Sequence, residues 1–109
     1  MKNYNNLILE IEEDFYLIKI NRPKYLNALN QETINELKEC FEFIKSNTKN
    51  KYGVIITGSG EKAFVAGADI KEFGKIDESS SSEFCDNGHS LFNLIENMSI
   101  PVFALVNGY

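Results

Sequence analysis

A mixed α/β fold is predicted by three features of this 109-residue sequence. Apolar alternation opens the chain, an apolar stripe at helical spacing follows, and two short runs are apolar throughout. The first pattern marks a hairpin with one wet face, the second a helix laid on a core, the third strands covered on both sides. The predicted order is β-β-α-β-(α)-α-β.

Leu7 to Glu12 sets Leu7, Leu9 and Ile11 against Ile8, Glu10 and Glu12. That is a strand with one mostly polar face. Glu13-Asp14 makes a tight turn, and Phe15 to Ile20 is the second strand of a hairpin. Asn21-Arg22-Pro23 ends it, because proline cannot continue a ladder. Lys24 to Asn30 is a loop. Asn30 is placed to cap a helix, with Glu32 as an acid in its first turn. Ile34, Leu37, Phe41 and Ile44 then share one face. Lys45, Lys49 and Lys51 lie at or beyond the end, where cations suit the helix dipole.

Gly53 to Gly58 is β-branched and has no polar face, so a strand covered on both sides is predicted. Ser59 to Ala68 is a loop, and Asp69 to Phe73 one short helical turn. Ile76 to Ser82 holds four consecutive serines and reads as a mobile surface loop. Ser80-x-x-Glu83 fits a capping box for a helix burying Phe84, Gly88, Leu91, Ile95 and Met98. Pro101 stops that helix, and Val102 to Val106 is another apolar strand. No internal repeat is evident beyond this alternation. A buried strand followed at once by Asn107-Gly108-Tyr109 would lack cover on one face, so further chain, a helix, is expected next.

Composition narrows the class. A chain of this length holds at most one domain, with a thin stability margin. Its 43% apolar and 25% charged residues are ordinary for a soluble protein. A net charge of −5 without a basic stripe argues against nucleic acid. The same charge repels anions, so a phosphate-bearing ligand needs local cations and backbone N–H groups. Cys40 and Cys85 are far apart, lack a metal-type partner and each fall in a predicted helix, which suits buried, reduced thiols in a cytoplasmic protein. The polar N-terminus carries no signal-peptide apolar region, and no apolar run is long enough for a membrane span.

The densest chemical signal is Gly58-Ser59-Gly60-Glu61-Lys62-Ala63-Phe64-Val65-Ala66-Gly67-Ala68-Asp69-Ile70-Lys71-Glu72, which joins a strand to a helical turn. Small residues at 66–68 let backbone approach a ligand, and a helix starting near Ala68 aims free N–H groups at an acceptor. That is one arm of an oxyanion hole built without a side chain. The purely structural alternative is a tight strand-to-helix turn whose small residues serve packing. A dinucleotide fingerprint through Gly58-x-Gly60-x-x-Ala63 fails because Gly67 interrupts the expected helix and no strand ends at Asp77-Glu78. A phosphate P-loop fails on spacing.

The second signal is Asn21-Arg22-Pro23-Lys24-Tyr25-Leu26-Asn27-Ala28-Leu29-Asn30, a cationic loop before a helix. Arg22 or Lys24 could grip phosphate there, or both could be solvated charges. His89, the only histidine, sits beside an apolar helix face and reads as a surface or packing residue. No Ser/His/Asp, Cys/His or metal-ligand set assembles.

These two segments, with Ile100-Pro101-Val102-Phe103-Ala104-Leu105-Val106-Asn107-Gly108-Tyr109, resemble the enoyl-CoA hydratase/isomerase (crotonase) superfamily. The likeness runs over nearly the whole chain, in order and at plausible spacings. It implies an α/β fold of stacked ββα units in a spiral, of which residues 1–109 form an incomplete, N-terminal part. It also implies an acyl-CoA thioester as substrate, no organic cofactor or metal, and relatives that assemble as trimers and hexamers. By resemblance the Ala68 N–H is the first oxyanion donor. Ala66, Ala68, Asp69, Ile70 and Lys71 line the CoA channel, and Lys24, Tyr25 and Ala28 lie along the CoA. The second donor and two glutamates that handle water and proton are implied beyond residue 109, which would leave this stretch alone inactive. The implied reaction is hydration of a 2-enoyl-CoA to a 3-hydroxyacyl-CoA in fatty-acid metabolism, a lyase activity. Double-bond isomerisation and non-catalytic acyl-CoA binding remain the alternatives.

Overall fold

The computed structural model describes residues 3–25, 27–60 and 78–105, with residues 78–85 as backbone only. Four strands form one sheet in the order β1-β2-β3-β4: Leu7–Ile11, Phe15–Ile20, Gly53–Gly58 and Val102–Leu105. β1 and β2 pair antiparallel, whereas β2, β3 and β4 run parallel. Each parallel step crosses over through a helix, α1 (Gln31–Lys45) and then α2 (Glu78–Glu96).

Register explains the core. Leu9 opposes Ile18, Ile18 opposes Ile56, and Tyr16 opposes Val54, which opposes Val102. These residues share one sheet face and join Ile34, Leu37, Cys40, Phe41 and Ile44 of α1 and Leu91 of α2 in one cluster. Phe41, Ile44, Ile18 and Val54 are fully buried. Burying each such side chain contributes about 1.5–3 kcal/mol, which outweighs the mixed helix propensity of α1. Asn30 caps α1 as its sequence position predicts, its Oδ1 accepting from the Thr33 N–H at 2.9 Å.

The opposite face differs from expectation. Leu17, Ile55 and Phe103 line up across β2, β3 and β4, yet Phe103 is 57% exposed and Leu105 60% exposed. Among the described residues, helices cover one face of the sheet only, so the two-sided cover inferred from apolar composition is not present there. Lys19 and Glu10 pair on this face at 3.1 Å.

β2 and β3 have the predicted bounds, while β1 ends one residue early, at Ile11. Gly53 opens β3 where a Cβ would sit 3.2 Å from the Pro101 carbonyl and 3.3 Å from the Phe103 ring. Pro23–Tyr25 forms a single 3-10 turn inside the segment predicted as loop. Lys51 does not serve the α1 terminus. Its Nζ reaches across to the Glu12 and Glu13 carbonyls at the β1–β2 turn.

The serine run is the clearest correction. Residues 79–82 lie inside α2, which begins at Glu78, so Ser80 is not its cap. Serine costs only about half a kcal/mol per helical position, and packing of the later turns offsets that. There Leu91 is buried, Ile95 and Leu94 are half-buried, and His89 is exposed, the surface alternative of the two read from sequence. Met98 packs on the core just past the helix end, and Gly88 is half-buried. The side chains of Phe84 and Cys85, the predicted turn at 69–73 and Val106 lie outside the described residues. Cys40 is a free, buried thiol. No described helix is long and apolar enough to cross a membrane.

Candidate functional site

The parallel ladder from Phe15↔Gly53 to Ile20↔Gly58 brings the carboxyl ends of β2 and β3 side by side, with Leu105 of β4 next to Thr57. Ligands of open α/β sheets bind outside the carboxyl ends of parallel strands, where connecting segments diverge. Both chemical signals of the sequence leave the sheet at this edge. Residues 21–30 follow β2, and Ser59-Gly60 follow β3.

The segment after β2 is held by its own polar groups. Arg22 is 8% exposed, so it is not a solvated charge. Its guanidinium donates to the Ala28 carbonyl and lies 4.6 Å from the Tyr25 ring centroid. The Arg22 carbonyl accepts from Tyr25 N–H at 3.0 Å and Asn27 N–H at 2.8 Å, which closes the 3-10 turn. A cation stacked on an aromatic ring and bonded to a carbonyl orders the loop rather than reaching out for phosphate. Lys24, by contrast, is exposed.

Asn27 is the pivot that sequence reasoning passed over. It is 1% exposed and has a left-handed backbone, with φ of 58°. Its Oδ1 accepts from the Arg22 N–H at 2.8 Å, and its Nδ2 donates to the Ser59 carbonyl at 3.1 Å. Asparagine tolerates this backbone region better than most residues. A buried polar residue inside a loop was the available signal, but helical and strand periodicities give polar positions no weight.

A cavity of about 290 Å³ opens here, lined by Asn6, Asn21, Arg22, Pro23, Lys24 and Tyr25. It falls just below the usual range for a small-molecule site and suits part of a larger ligand. Its Asn6 wall is anchored to α1. The Asn6 N–H donates to Glu36 Oε1 at 2.9 Å, and Nδ2 donates to Glu36 Oε2 and Glu32 Oε1, each at 2.5 Å. Glu36 is buried although it lies off the predicted apolar face, because these bonds satisfy its carboxylate.

A family model for enoyl-CoA hydratase/isomerase matches residues 10–109. The chain belongs to the enoyl-CoA hydratase/isomerase family. It is 44% identical over 106 residues to a crotonyl-CoA hydratase of Syntrophomonas wolfei, covering 97% of this chain and 40% of that protein. It is 43% identical over 105 residues to a short-chain-enoyl-CoA hydratase of Clostridium acetobutylicum, covering 96% and 40%. The crystal structure of an enoyl-CoA hydratase from Bacillus anthracis superposes with a TM-score of 0.90 at 30% identity, over 95% of this chain and 40% of that one. The chain thus spans about 40% of the length of the curated relatives it matches.

Within this enoyl-CoA hydratase/isomerase chain, the predicted site residues divide in two. Lys24 and Tyr25 border the cavity and are exposed, whereas Ala28 is buried and its carbonyl is taken by Arg22. Ala66, Ala68, Asp69, Ile70 and Lys71 lie outside the described residues. What is visible is the platform from which their segment departs. At Gly60 φ is 79°, a conformation that favours glycine, and the chain turns there out of the sheet.

Proposed function

We propose that this chain builds the acyl-CoA side of a site that hydrates a 2-enoyl-CoA to a 3-hydroxyacyl-CoA. The observation that carries the reading is the identity of 43–44% to two named enoyl-CoA hydratases, in alignments that cover 96–97% of this chain. The geometry supports it, because the cationic segment 21–30 and Ser59-Gly60 leave one edge of the sheet together.

Adding water across a conjugated thioester places a proton on C2 and a hydroxyl on C3, and negative charge develops on the thioester oxygen in between. A fixed N–H donor at that oxygen lowers the barrier without any proton transfer of its own. The backbone N–H of Ala68 is that donor in this reading, with Ala66, Asp69, Ile70 and Lys71 along the ligand. Lys24 and Lys71 offset locally the repulsion of a −5 chain toward CoA phosphates. Tyr25 borders the cavity beside Lys24, and the buried Ala28 holds that turn from behind through its carbonyl bond to Arg22.

The test is loss of enoyl-thioester ultraviolet absorbance when crotonyl-CoA is added to the protein carrying this sequence. Formation of 3-hydroxybutyryl-CoA is expected. Conversion of a 3-enoyl-CoA to its 2-enoyl isomer without hydration would replace this reading with isomerisation.

A further inference from the structure

We infer that Asn27 is a positioning residue that locks the segment after β2 to the exit of β3, so that residues 21–28 and 58–60 move as one. The inference deepens the hydratase reading and rests on it for its kinetic consequences only. The coupling itself is a property of the fold.

Three bonds join Ser59 to the β2 side, and a fourth fixes Asn27 within its own segment. Asn27 Oδ1 takes the Arg22 N–H at 2.8 Å, and Nδ2 gives to the Ser59 carbonyl at 3.1 Å. Ser59 returns two contacts, its N–H to the Ile20 carbonyl at 2.8 Å and its Oγ to Asn21 Oδ1 at 2.8 Å. The Ser59 N–H bond continues the parallel ladder by one residue. The Asn27 amide then spans the gap where the two chains diverge, from a side chain 1% exposed. Buried amide bonds of this kind are costly to break because each orphaned group loses its partner without gaining water.

The consequence is directional. One side of the lock carries Lys24 and Tyr25 at the cavity wall, and the other carries Ser59 and Gly60 at the end of β3. A residue that only stabilised the loop would change the folded fraction. A residue that couples the two segments changes ligand affinity and turnover together in protein that remains folded, because a displacement of about 1 Å at a reacting centre costs roughly a hundredfold.

The experiment compares Asn27→Gly, Asn27→Asp and wild type in the protein that carries this sequence. Glycine accepts φ of 58° and removes the side-chain bonds to Arg22 and Ser59, so backbone strain is not the variable. Aspartate keeps an acceptor for the Arg22 N–H and loses the donor to Ser59. Amide hydrogen exchange is followed at residues 21–28 and 58–60, beside KM and kcat for crotonyl-CoA below the unfolding temperature. The expected result for Asn27→Gly is faster exchange in both segments, with a severalfold rise in KM and a fall in kcat of tenfold or more. Asn27→Asp is expected to show faster exchange at 58–60 and to lose kcat more than KM. Exchange that quickens in 21–28 alone, or KM and kcat within twofold of wild type in folded Asn27→Gly, would overturn the proposal. If Asn27→Gly unfolds globally, Asn27→Asp decides by the same readings. If the wild type does not hydrate crotonyl-CoA, the hydratase reading fails, and the exchange pattern still decides the coupling.

Discussion

The α1–sheet core and the β2 exit are both buried, but by opposite means. In the core, Phe41, Ile44, Ile18 and Val54 fill volume, and their order is set by packing. At the β2 exit, Arg22 and Asn27 are nearly as buried, but hydrogen bonds to Ala28, Ser59 and neighbouring backbone set their order. Packing tolerates small shifts and supplies stability. A bonded polar cluster supplies shape, and here it fixes the segment that carries Lys24 and Tyr25 at the cavity wall.

Truncation in the core breaks the contrast most severely. Phe41→Ala removes a ring with no exposure and is expected to cost about 3–5 kcal/mol, read as a drop in the denaturant midpoint. A loss under about 1 kcal/mol would mean that the cluster around α1 is loosely packed.

Asn30→Ala sharpens the contrast, since this residue joins the two regions. It should cost about 1 kcal/mol, because Oδ1 caps the Thr33 N–H at 2.9 Å. Asn30→Asp should recover most of it. Equal loss in both variants would show that the side chain has a role other than capping.

The smallest effect at neutral pH lies inside the core, where Cys40 meets Tyr4 of the N-terminal segment. Burial pushes the Cys40 thiol up to about 12 from its ordinary value of 9.0, and a bond from Tyr4 pulls it slightly back. Burial, with the neighbouring thiol second, pushes the Tyr4 hydroxyl up to about 12 from 10.0. Both groups are held protonated in the fold and ionise sooner once unfolded. Their contribution is therefore complete below pH 9 and is lost as pH rises toward 12. Urea titrations between pH 8 and 11 should show stability falling more steeply in wild type than in Cys40→Ala. Parallel slopes would remove the thiol from the account.

The same contrast governs what could be read in advance. The apolar face of α1, its asparagine cap and the bounds of β2 and β3 were legible, because period and capping chemistry are local. The burial of Arg22, Asn27 and Glu36 was not, because each is satisfied by partners that only the fold brings close. Asn27 meets Ser59 across 32 residues, and Glu36 meets Asn6 across 30. The serine run was misread as loop because weak local preference was given more weight than the packing of the helix it opens. The position of the small-residue segment was legible to the point where it leaves β3, at Ser59 and Gly60.

In the proposed hydratase reading, a backbone N–H beyond that exit, not a side-chain base, is what this segment contributes to chemistry. Turnover of crotonyl-CoA by Ala68→Pro and Ala68→Gly, made in the protein carrying this sequence, tests it most directly. Proline removes the N–H and glycine keeps it. Loss of one oxyanion donor costs on the order of 3 kcal/mol, so Ala68→Pro should fall roughly a hundredfold in kcat while Ala68→Gly stays within a fewfold of wild type. Equal turnover by the two folded variants would contradict the claim.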